Sequence, residues 1–353
     1  MQKGTALVVG ATGLTGGNLA AWLTANGWSV YGLSRKGAEQ SGVIPVAADL
    51  LDSKATAEAL SGLPITHVFY CTWVKRESEK ENIEANTTMM RNLFAALNTD
   101  RLKHASLVTG TKQYLGSFHA YGSGRIETPF RESEPRVPGD NFYYALEDVL
   151  FEAAERGNFS WNVHRPHTVI GYARGNAMNM GVTLAVYASI CKATGKPMVF
   201  PGSKTQWNAL TDMTDANLLA RQIEWAATMP GAANQAFNTV NGDTFRWRRM
   251  WREIGAFFDV DVADCPETPQ SLEQQMKGCE SVWQDIAAKH DLVEDDVTKL
   301  VSWWHSDADL GREQECVNDM TKSRDFGFTD YKETRAAFFD LFARLRAEKV
   351  IPE

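Results

Sequence analysis

Short apolar runs alternate with amphipathic segments through the first half of the chain. Runs of strand length occupy positions 6–9, 29–34, 43–48, 67–72 and 104–109, and a sixth lies at 161–165. Segments with helical spacing lie at about 15–26, 84–97 and 147–156. Nearly continuous apolar strands separated by helices are typical of a parallel sheet covered on both faces. The pattern therefore predicts an α/β fold built on a doubly wound, Rossmann-type parallel sheet.

The second half of the chain has a less regular pattern that favours helices. The predicted elements are helices at 184–193 and 246–258, a helix capped by Thr214 or Asp215, and a strand at 237–240. Trp247 and Trp251 lie four residues apart on one of these helices, so we expect them to fill a core. This half therefore predicts a smaller, mostly helical domain.

A glycine-rich turn joins the first predicted strand to the first predicted helix. Gly10, Gly13 and Gly16 are spaced as GxxGxxG. In a dinucleotide-binding turn the first glycine permits the tight bend, the second lets the backbone approach a pyrophosphate, and the third allows close packing of helix on sheet. The helix N-terminus also offers free N–H groups and a partial positive charge to phosphates. The turn predicts a dinucleotide site, and the alternative is an ordinary strand-to-helix turn.

The end of the second strand distinguishes between NAD and NADP. Ser34, Arg35 and Lys36 stand where an NAD site usually carries Asp or Glu for the ribose 2′-hydroxyl. Two cations and a hydroxyl suit a 2′-phosphate instead. We therefore predict NADPH as the cofactor, with a solvated basic turn as the alternative. Asp49 and Leu50 end the third strand and are expected beside the adenine.

The two halves of the chain predict two domains. Residues 1–170 are expected to form the NADPH-binding Rossmann domain, to which later strands return from about 205–242. Residues 171–353 are expected to form mainly the helical substrate-binding domain. A chain of 353 residues is long enough for this arrangement.

Composition and charge argue against several classes of function. The net charge of −8 disfavours binding to a nucleic-acid backbone. No stretch approaches the roughly 20 apolar residues of a membrane span. The five cysteines form no CxxC pair and the seven histidines form no HxxxH or HExxH pattern, so neither disulfides nor a metal site are predicted. We expect a reduced, cytoplasmic protein that binds neither nucleic acid nor membrane.

Ordinary short-chain dehydrogenases place a lysine four residues after the catalytic tyrosine, and this chain lacks that YxxxK pattern. The corresponding stretch, NFYYALED at 141–148, carries Glu147 or Asp148 at the lysine position, depending on which tyrosine counts. A carboxylate there would raise the tyrosine pKa. Lys112 follows the fifth strand and is a candidate replacement, because the carboxyl ends of such strands face the ligand crevice. The alternative for Lys112 is an exposed loop lysine.

Seven stretches of the chain together carry a family resemblance. They are GATGLTG, FYCTW, ENIEANTTMMRNL, TGTKQYLGSF, NFYYALED, VHRP and FNTVNGDTFRW. This set resembles the progesterone 5β-reductase/iridoid synthase-like (PRISE) enone reductases, which are extended, atypical short-chain dehydrogenases. The resemblance runs from about residue 5 to 260 and is weaker beyond. Its most specific feature is NFYY combined with a displaced lysine.

The resemblance implies a set of site residues. The catalytic pair is Lys112 and Tyr143, with Tyr144 as the alternative tyrosine. The implied cofactor residues are Thr12, Gly13 and Leu14 at the pyrophosphate, Arg35 and Lys36 at the 2′-phosphate, Asp49 and Leu50 at the adenine, Thr72 and Trp73 beside the cofactor, and Val169, Asn176, Ala177 and Met178 over the nicotinamide. Phe118 matches an aromatic residue near the substrate. Gln113 departs from the family's usual histidine.

The function that the resemblance implies is reduction of the activated C=C bond of an α,β-unsaturated carbonyl compound. NADPH would give a hydride to the β-carbon while the tyrosine hydroxyl stabilises the enolate. The alternatives are an NADPH-dependent carbonyl reductase or sugar-nucleotide epimerase-like enzyme, and a non-catalytic NADP(H)-binding sensor. Trp207 is a further candidate for the substrate pocket. The expected partner is a small-molecule enone, and a homodimer is the candidate oligomeric state.

Overall fold

A computed structural model of the chain describes residues 3–37, 39–116, 127–173 and 175–353. The strands of its main sheet are β1 (Thr5–Val9), β2 (Ser29–Ser34), β3 (Val43–Ala47), β4 (His67–Tyr70), β5 (His104–Val108), β6 (Ser160–Pro166) and β9 (Gln235–Thr239). Within the described residues these seven strands pair in parallel in the order β3-β2-β1-β4-β5-β6-β9. A small second sheet pairs β7 (Val169–Ile170) with β8 (Thr214–Asp215). The predicted doubly wound, Rossmann-type fold is confirmed.

Helices flank the sheet and make up most of the second half. In chain order they are α1 (Leu14–Ala25), α2 (Ser53–Leu60), α3 (Glu79–Ala96), α4 (Lys112–Leu115), α5 (Phe142–Gly157), α6 (Met180–Thr194), α7 (Lys204–Asn208), α8 (Ala216–Thr228), α9 (Trp247–Phe258), α10 (Leu272–Gln275), α11 (Glu280–His290), α12 (Val297–Leu300), α13 (Trp303–Leu310), α14 (Thr321–Asp325) and α15 (Thr334–Ala347). In the described part of the chain, no helix combines the length and apolar character needed to cross a membrane.

Two apolar cores hold the helices against the sheet. Leu19 and Ile223 bring α1 and α8 into the core that contains Val8 of β1. Leu93 and Leu146 bring α3 and α5 into a second core that also contains strand residues. Burial of such side chains stabilises the sheet by roughly 1.5–3 kcal/mol each. The helices thereby leave the carboxyl ends of the strands for a ligand.

Two helices begin earlier than their periodicity predicts because polar residues cap them. Ser78 and Glu81 form a capping box at the start of α3, five residues before the predicted start at 84. The Asn141 side chain accepts a hydrogen bond from the Tyr143 backbone N–H, so α5 begins at Phe142 and not at 147. Of the two caps predicted for α8, Thr214 or Asp215, the structure shows Asp215, whose carboxylate accepts two backbone hydrogen bonds.

A third apolar core draws its residues from the second half of the chain. Its buried members range from Ile170 to Ile351 and include residues of α6, α9, α11 and α15. Trp247 and Trp251 are 1% and 0% exposed within it, which confirms the expectation that they fill a core. This core supports α13, one of whose faces borders the site described next.

Candidate active site

A cavity of about 430 Å³ lies at the carboxyl ends of β1, β2, β4, β5 and β6. Open α/β sheets bind their ligands at this edge. Of the predicted site residues, those lining the cavity are Gly10, Thr12, Gly13, Leu14, Ser34, Arg35, Asp49, Leu50, Thr72, Trp73, Lys112, Tyr143, Val169, Asn176 and Met178. Gly16, Lys36 and Ala177 are not among its lining residues. The structure therefore brings most of the predicted residues to one place.

The glycine turn has the backbone geometry needed for close packing of α1 on the sheet and for close approach of a ligand to the backbone. Gly10 has φ of +85°, a conformation that side-chain-bearing residues rarely adopt. A Cβ atom at Gly16 would overlap the carbonyl oxygen of Gly10. Gly13 caps α1 without any side-chain hydrogen bond, so the first N–H groups of the helix face the cavity rather than a protein cap.

Replacing Gly16 by Ala is expected to destabilise the turn. Because the overlapping atom belongs to the backbone, the helix must shift, which typically costs about 1–3 kcal/mol. Chemical denaturation should show this loss, and calorimetry should show weaker binding of a nicotinamide dinucleotide. Gly231→Ala is the matched control, because a Cβ atom at Gly231 meets no atom within 4 Å. Equal effects of the two substitutions would contradict the proposed role of Gly16.

The predicted 2′-phosphate residues divide into two groups. Ser34 and Arg35 line the cavity, whereas Lys36 is exposed and does not. The Ser34 hydroxyl oxygen is buried and has no hydrogen-bond partner among the described residues. A buried hydroxyl without a partner costs about 1–3 kcal/mol unless a ligand satisfies it. This end of the cavity therefore fits a group that accepts hydrogen bonds.

The segment after β4 is held by an asparagine that sequence reasoning did not single out. Asn86 of α3 is buried, and its side-chain amide makes two 2.9 Å hydrogen bonds with the backbone of Val74, one to the N–H and one to the carbonyl. These bonds fix the loop that carries Thr72 and Trp73 into the cavity. The Trp73 ring also packs against Phe142, with centroids 5.5 Å apart.

The two candidate tyrosines have different environments. The Tyr144 hydroxyl donates to the Gln113 carbonyl at 2.7 Å and accepts from the Val137 N–H at 3.0 Å. The Tyr143 ring lines the cavity, and its hydroxyl has no hydrogen-bond partner among the described residues. A Cβ atom at Gly110 would lie 3.6 Å from that hydroxyl, so the glycine leaves space beside it. Tyr143 is therefore available to a ligand, while Tyr144 is engaged in structure.

Lys112 is buried and surrounded by aromatic rings. Its Nζ lies 4.7 Å from the Phe142 ring centroid, 5.5 Å from that of Tyr143 and 5.6 Å from that of Trp73. Burial lowers the pKa of Lys112 to about 7, although the Glu79 carboxylate opposes the change. The structure thus excludes the alternative of an exposed loop lysine, since the side chain is 5% exposed.

One asparagine links the two candidate catalytic residues. The Asn141 side chain accepts from the Tyr143 N–H at 3.0 Å and donates to the Lys112 carbonyl at 2.9 Å. Glu79 adds a further restraint, because its carboxylate accepts from the Phe142 N–H at 2.7 Å. Asn141 lies within the NFYYALED stretch, whereas Glu79 lies two residues before ENIEANTTMMRNL. The linking role of both depends on contacts between separate segments. The N-cap position of Asn141 was the only local signal.

The carboxylate at the usual lysine position belongs to a salt-bridge network. Glu147 is buried, with one oxygen 3.1 Å from Arg165 Nη2 and the other 3.0 Å from Arg136 Nη2. The sequence predicted that this carboxylate raises the tyrosine pKa. Burial is the main reason that the pKa of Tyr144 is raised, and the Glu147 carboxylate contributes to it. The pKa of Tyr143 is also raised, but the causes are burial and the carboxylates of Glu79 and Asp309. Glu147 therefore does not replace the missing lysine in function.

The two predicted substrate aromatics have different outcomes. Trp207 is 8% exposed and packs in the core of the second half, with its ring centroid 5.0 Å from that of Phe200. It does not line the cavity, so the prediction that it lines the substrate pocket is wrong for this cavity. The neighbouring sequence does not distinguish a tryptophan in an apolar core from one in a substrate pocket. Phe118 lies outside the described residues.

Comparison with known proteins identifies the family. The model of the PRISE-like Rossmann-fold domain matches residues 50–352. The chain belongs to the PRISE family. The match includes the C-terminal region, which the sequence stretches had indicated only weakly. Among the relatives of the chain, the 3-oxo-Delta(4,5)-steroid 5-beta-reductase of Arabidopsis thaliana is 38% identical over 99% of this chain and 94% of its own length.

Further comparisons extend this assignment. An (S)-8-oxocitronellyl enol synthase of Nepeta racemosa is also 38% identical, over 99% of this PRISE chain and 94% of its own. Among solved structures, the UDP-glucose 4-epimerase of Thermotoga maritima has a TM-score of 0.70 at 14% identity, covering 97% of this chain and 99% of that one. That similarity shows the fold alone. The predicted family is confirmed, and the individual site residues stay predictions.

Proposed function

We propose that this PRISE member reduces the C=C bond of α,β-unsaturated carbonyl compounds with NADPH. The observation that carries the proposal is the pairing of Tyr143, whose hydroxyl has no partner among the described residues, with the buried Lys112. The pair lies in the same cavity as a glycine turn suited to a dinucleotide. The reductase named among the relatives supports this reaction class.

The residues around the cavity fit a 2′-phosphorylated nicotinamide dinucleotide. A Cβ atom at Gly10 or Gly16 would overlap neighbouring atoms, and the buried Ser34 hydroxyl lacks a partner among the described residues. We propose that Thr12, Gly13 and Leu14 hold the pyrophosphate, that Ser34 and Arg35 hold the 2′-phosphate, and that Asp49 and Leu50 contact the adenine. When bound, the cofactor supplies the hydride.

Tyr143 is proposed to act as a hydrogen-bond donor. Burial and two neighbouring carboxylates raise its pKa above the usual range, so the phenol keeps its proton at neutral pH. A neutral hydroxyl beside the substrate carbonyl donates a hydrogen bond that strengthens as negative charge develops on the oxygen. A donor in this role does not need the adjacent lysine that proton-relay tyrosines use.

Lys112 is proposed to stabilise the same developing charge. Its ammonium group lies among rings where little water competes, and an interaction between charges is stronger there than in bulk water. The backbone link through Asn141 keeps Lys112 and Tyr143 in fixed relation. Pre-positioned charges of this kind require no reorganisation during the reaction.

The test of the proposed function is a turnover assay. Purified protein is mixed with NADPH, and in parallel with NADH, in the presence of cyclohex-2-enone or progesterone. We expect loss of the reduced-nicotinamide absorbance with NADPH, and a saturated carbonyl product by NMR. An allylic alcohol product would favour a carbonyl reductase. Tight NADPH binding without turnover of any enone, ketone or aldehyde would favour a sensor.

Replacing Arg35 by Ala is expected to reduce the preference for NADPH. Loss of a charged hydrogen bond to the 2′-phosphate costs about 1.5–3 kcal/mol, which corresponds to a rise of about 10- to 150-fold in the KM for NADPH. The KM for NADH should change little. Lys36→Ala serves as the control, because Lys36 does not line the cavity. A larger effect of Lys36→Ala would reverse the assignment of these two residues.

A further inference from the structure

Helix α13 presents ionisable side chains to the catalytic end of the cavity. His305 and Asp309 lie four residues apart on one face of this helix, and Arg312 follows it. All three line the cavity that also contains Tyr143 and Lys112. The Asp309 side chain is 23% exposed and that of Arg312 is 5% exposed. Asp309 and His305 therefore form the part of the α13 cavity wall that a ligand can reach.

Asp309 is held in place as a hydrogen-bond acceptor. Its Oδ2 accepts from the Thr168 hydroxyl at 2.6 Å, and its Oδ1 lies 3.6 Å from Arg312 Nη2. Burial alone would raise the pKa of Asp309, but Arg312, His305 and the Thr168 hydroxyl together hold it below the usual range. The Oδ1 atom lies too far from Arg312 for a good hydrogen bond and has capacity for another donor.

His305 adds unused hydrogen-bonding capacity to the same face. Its side chain is half-buried, and its Nδ1 is buried with no hydrogen-bond partner among the described residues. The ring is bordered by Trp304, whose centroid lies 5.9 Å away in an edge-on arrangement. A buried polar atom without a hydrogen-bond partner lowers the stability of the fold by about 1–3 kcal/mol. A polar ligand group beside α13 would allow the ring to reorient and recover part of that cost.

The surrounding charges restrict which polar group fits. Lys112 lies in the same cavity, and the Lys75 ammonium lies 3.7 Å from the Trp304 ring centroid, so cations border α13 on this side. A cationic ligand group would be repelled by Lys75, Lys112 and Arg312. A carboxylate in contact with Asp309 would be repelled by its charge. A hydrocarbon surface placed there would desolvate Asp309 without compensation.

We propose that His305 and Asp309 determine specificity by binding a neutral hydroxyl group of the substrate. The preferred substrate class is then a hydroxylated enone, in which the hydroxyl donates to Asp309 while the conjugated carbonyl lies at Tyr143. This inference rests on the proposed enone reduction and adds to it the recognition of a second polar group. A hydroxyl satisfies the carboxylate and imidazole without adding charge.

The experiment compares cyclohex-2-enone with its 4-, 5- and 6-hydroxy derivatives and their methoxy analogues. We expect at least one hydroxy compound to exceed the parent in kcat/KM by about 10-fold or more, as one hydrogen bond to a charged group allows. The methoxy analogue, which cannot donate, should lose that advantage and thereby controls for altered ring reactivity. No preference for any hydroxy compound would overturn the inference.

Two variants assign the preference to α13. His305→Phe and the isosteric Asp309→Asn should each lower the hydroxy-to-parent ratio several-fold, mainly through KM, while the KM for NADPH stays unchanged. His290→Phe is the matched control, because His290 is an exposed histidine that does not line the cavity. A hydroxy preference that survives both α13 variants would overturn the assignment, as would an equal effect of the control.

A binding measurement separates this inference from the proposed function. If no enone is reduced, the proposed function fails. Calorimetry with NADP⁺ and the saturated ring ketones, with and without the hydroxyl, then tests the subsite without turnover. Tighter binding of the hydroxy ketone that is lost in Asp309→Asn supports the subsite, and equal binding of both ketones rejects it.

Discussion

Replacing Tyr143 by Phe is expected to lower kcat for enone reduction by about 10²–10³-fold, the usual cost of removing one donor to a developing oxyanion. The hydroxyl is the group lost, while the ring that packs 4.5 Å from Phe142 remains. Because that hydroxyl has no hydrogen-bond partner among the described residues, folding should be little affected. Steady-state kinetics and a thermal melt of the same preparation measure both quantities.

Tyr144→Phe is the matched control for this substitution. It removes a hydroxyl that bonds Gln113 and Val137, so it should lower stability by about 0.5–1.5 kcal/mol per bond while leaving kcat near the wild-type value. Tyr143→Phe should therefore lower activity with little effect on stability, whereas Tyr144→Phe should lower stability with little effect on activity. If Tyr144→Phe abolished turnover and Tyr143→Phe did not, the tyrosines would have to be reassigned.

Replacing Lys112 by Met is expected to lower kcat/KM by roughly 10²-fold, on the scale of one pre-positioned charge at an oxyanion. Methionine is unbranched and only one atom shorter, so it keeps most of the apolar contacts with the aromatic rings. Removing a buried ammonium also removes its desolvation cost, so the variant should melt at the same temperature as the wild type or higher. A lower melting temperature would mean that lost folding, and not lost charge, explains the lower rate.

The pH dependence of the reaction offers an independent test of Lys112. Its pKa is lowered to about 7, so the charged form prevails below that pH and is lost as the pH rises through it. If the ammonium stabilises the enolate, kcat/KM should fall above about pH 7, since this parameter reports groups of the free enzyme. In Lys112→Arg the guanidinium stays charged, and the fall should disappear. The same fall in the arginine variant would assign it to another group.

Much of the fold was predictable because its signals are local. The apolar runs that became β1 to β6 and the glycine turn are read from neighbouring residues. The starts of α3 and α5 were missed by five residues each, because side-chain caps extended helices beyond their apolar periodicity. Trp207 shows the limit of such reasoning, since an apolar aromatic residue suits both a core and a substrate pocket.

The candidate site was predictable as a set of residues but not as an arrangement. The NFYY stretch could not distinguish Tyr143 from Tyr144, and only the contacts of Tyr144 with Gln113 and Val137 separate them. The wall formed by His305 and Asp309 was not predicted, because those residues lie far along the chain from the sequence stretches of the Rossmann half. The homodimer and the cellular location stay predictions.

The sequence by itself determined the Rossmann-type fold, the PRISE family and the position of the glycine turn, because these follow from spacing and residue type along short segments. The tertiary structure decided which tyrosine meets the cavity, how Lys112 is buried, and why Glu147 can stand at the usual lysine position. Each of these depends on the packing of separate segments: α5 against α4, aromatic rings around an ammonium group, and two arginines around one carboxylate. Burial and charge at such contacts arise only when the chain has folded.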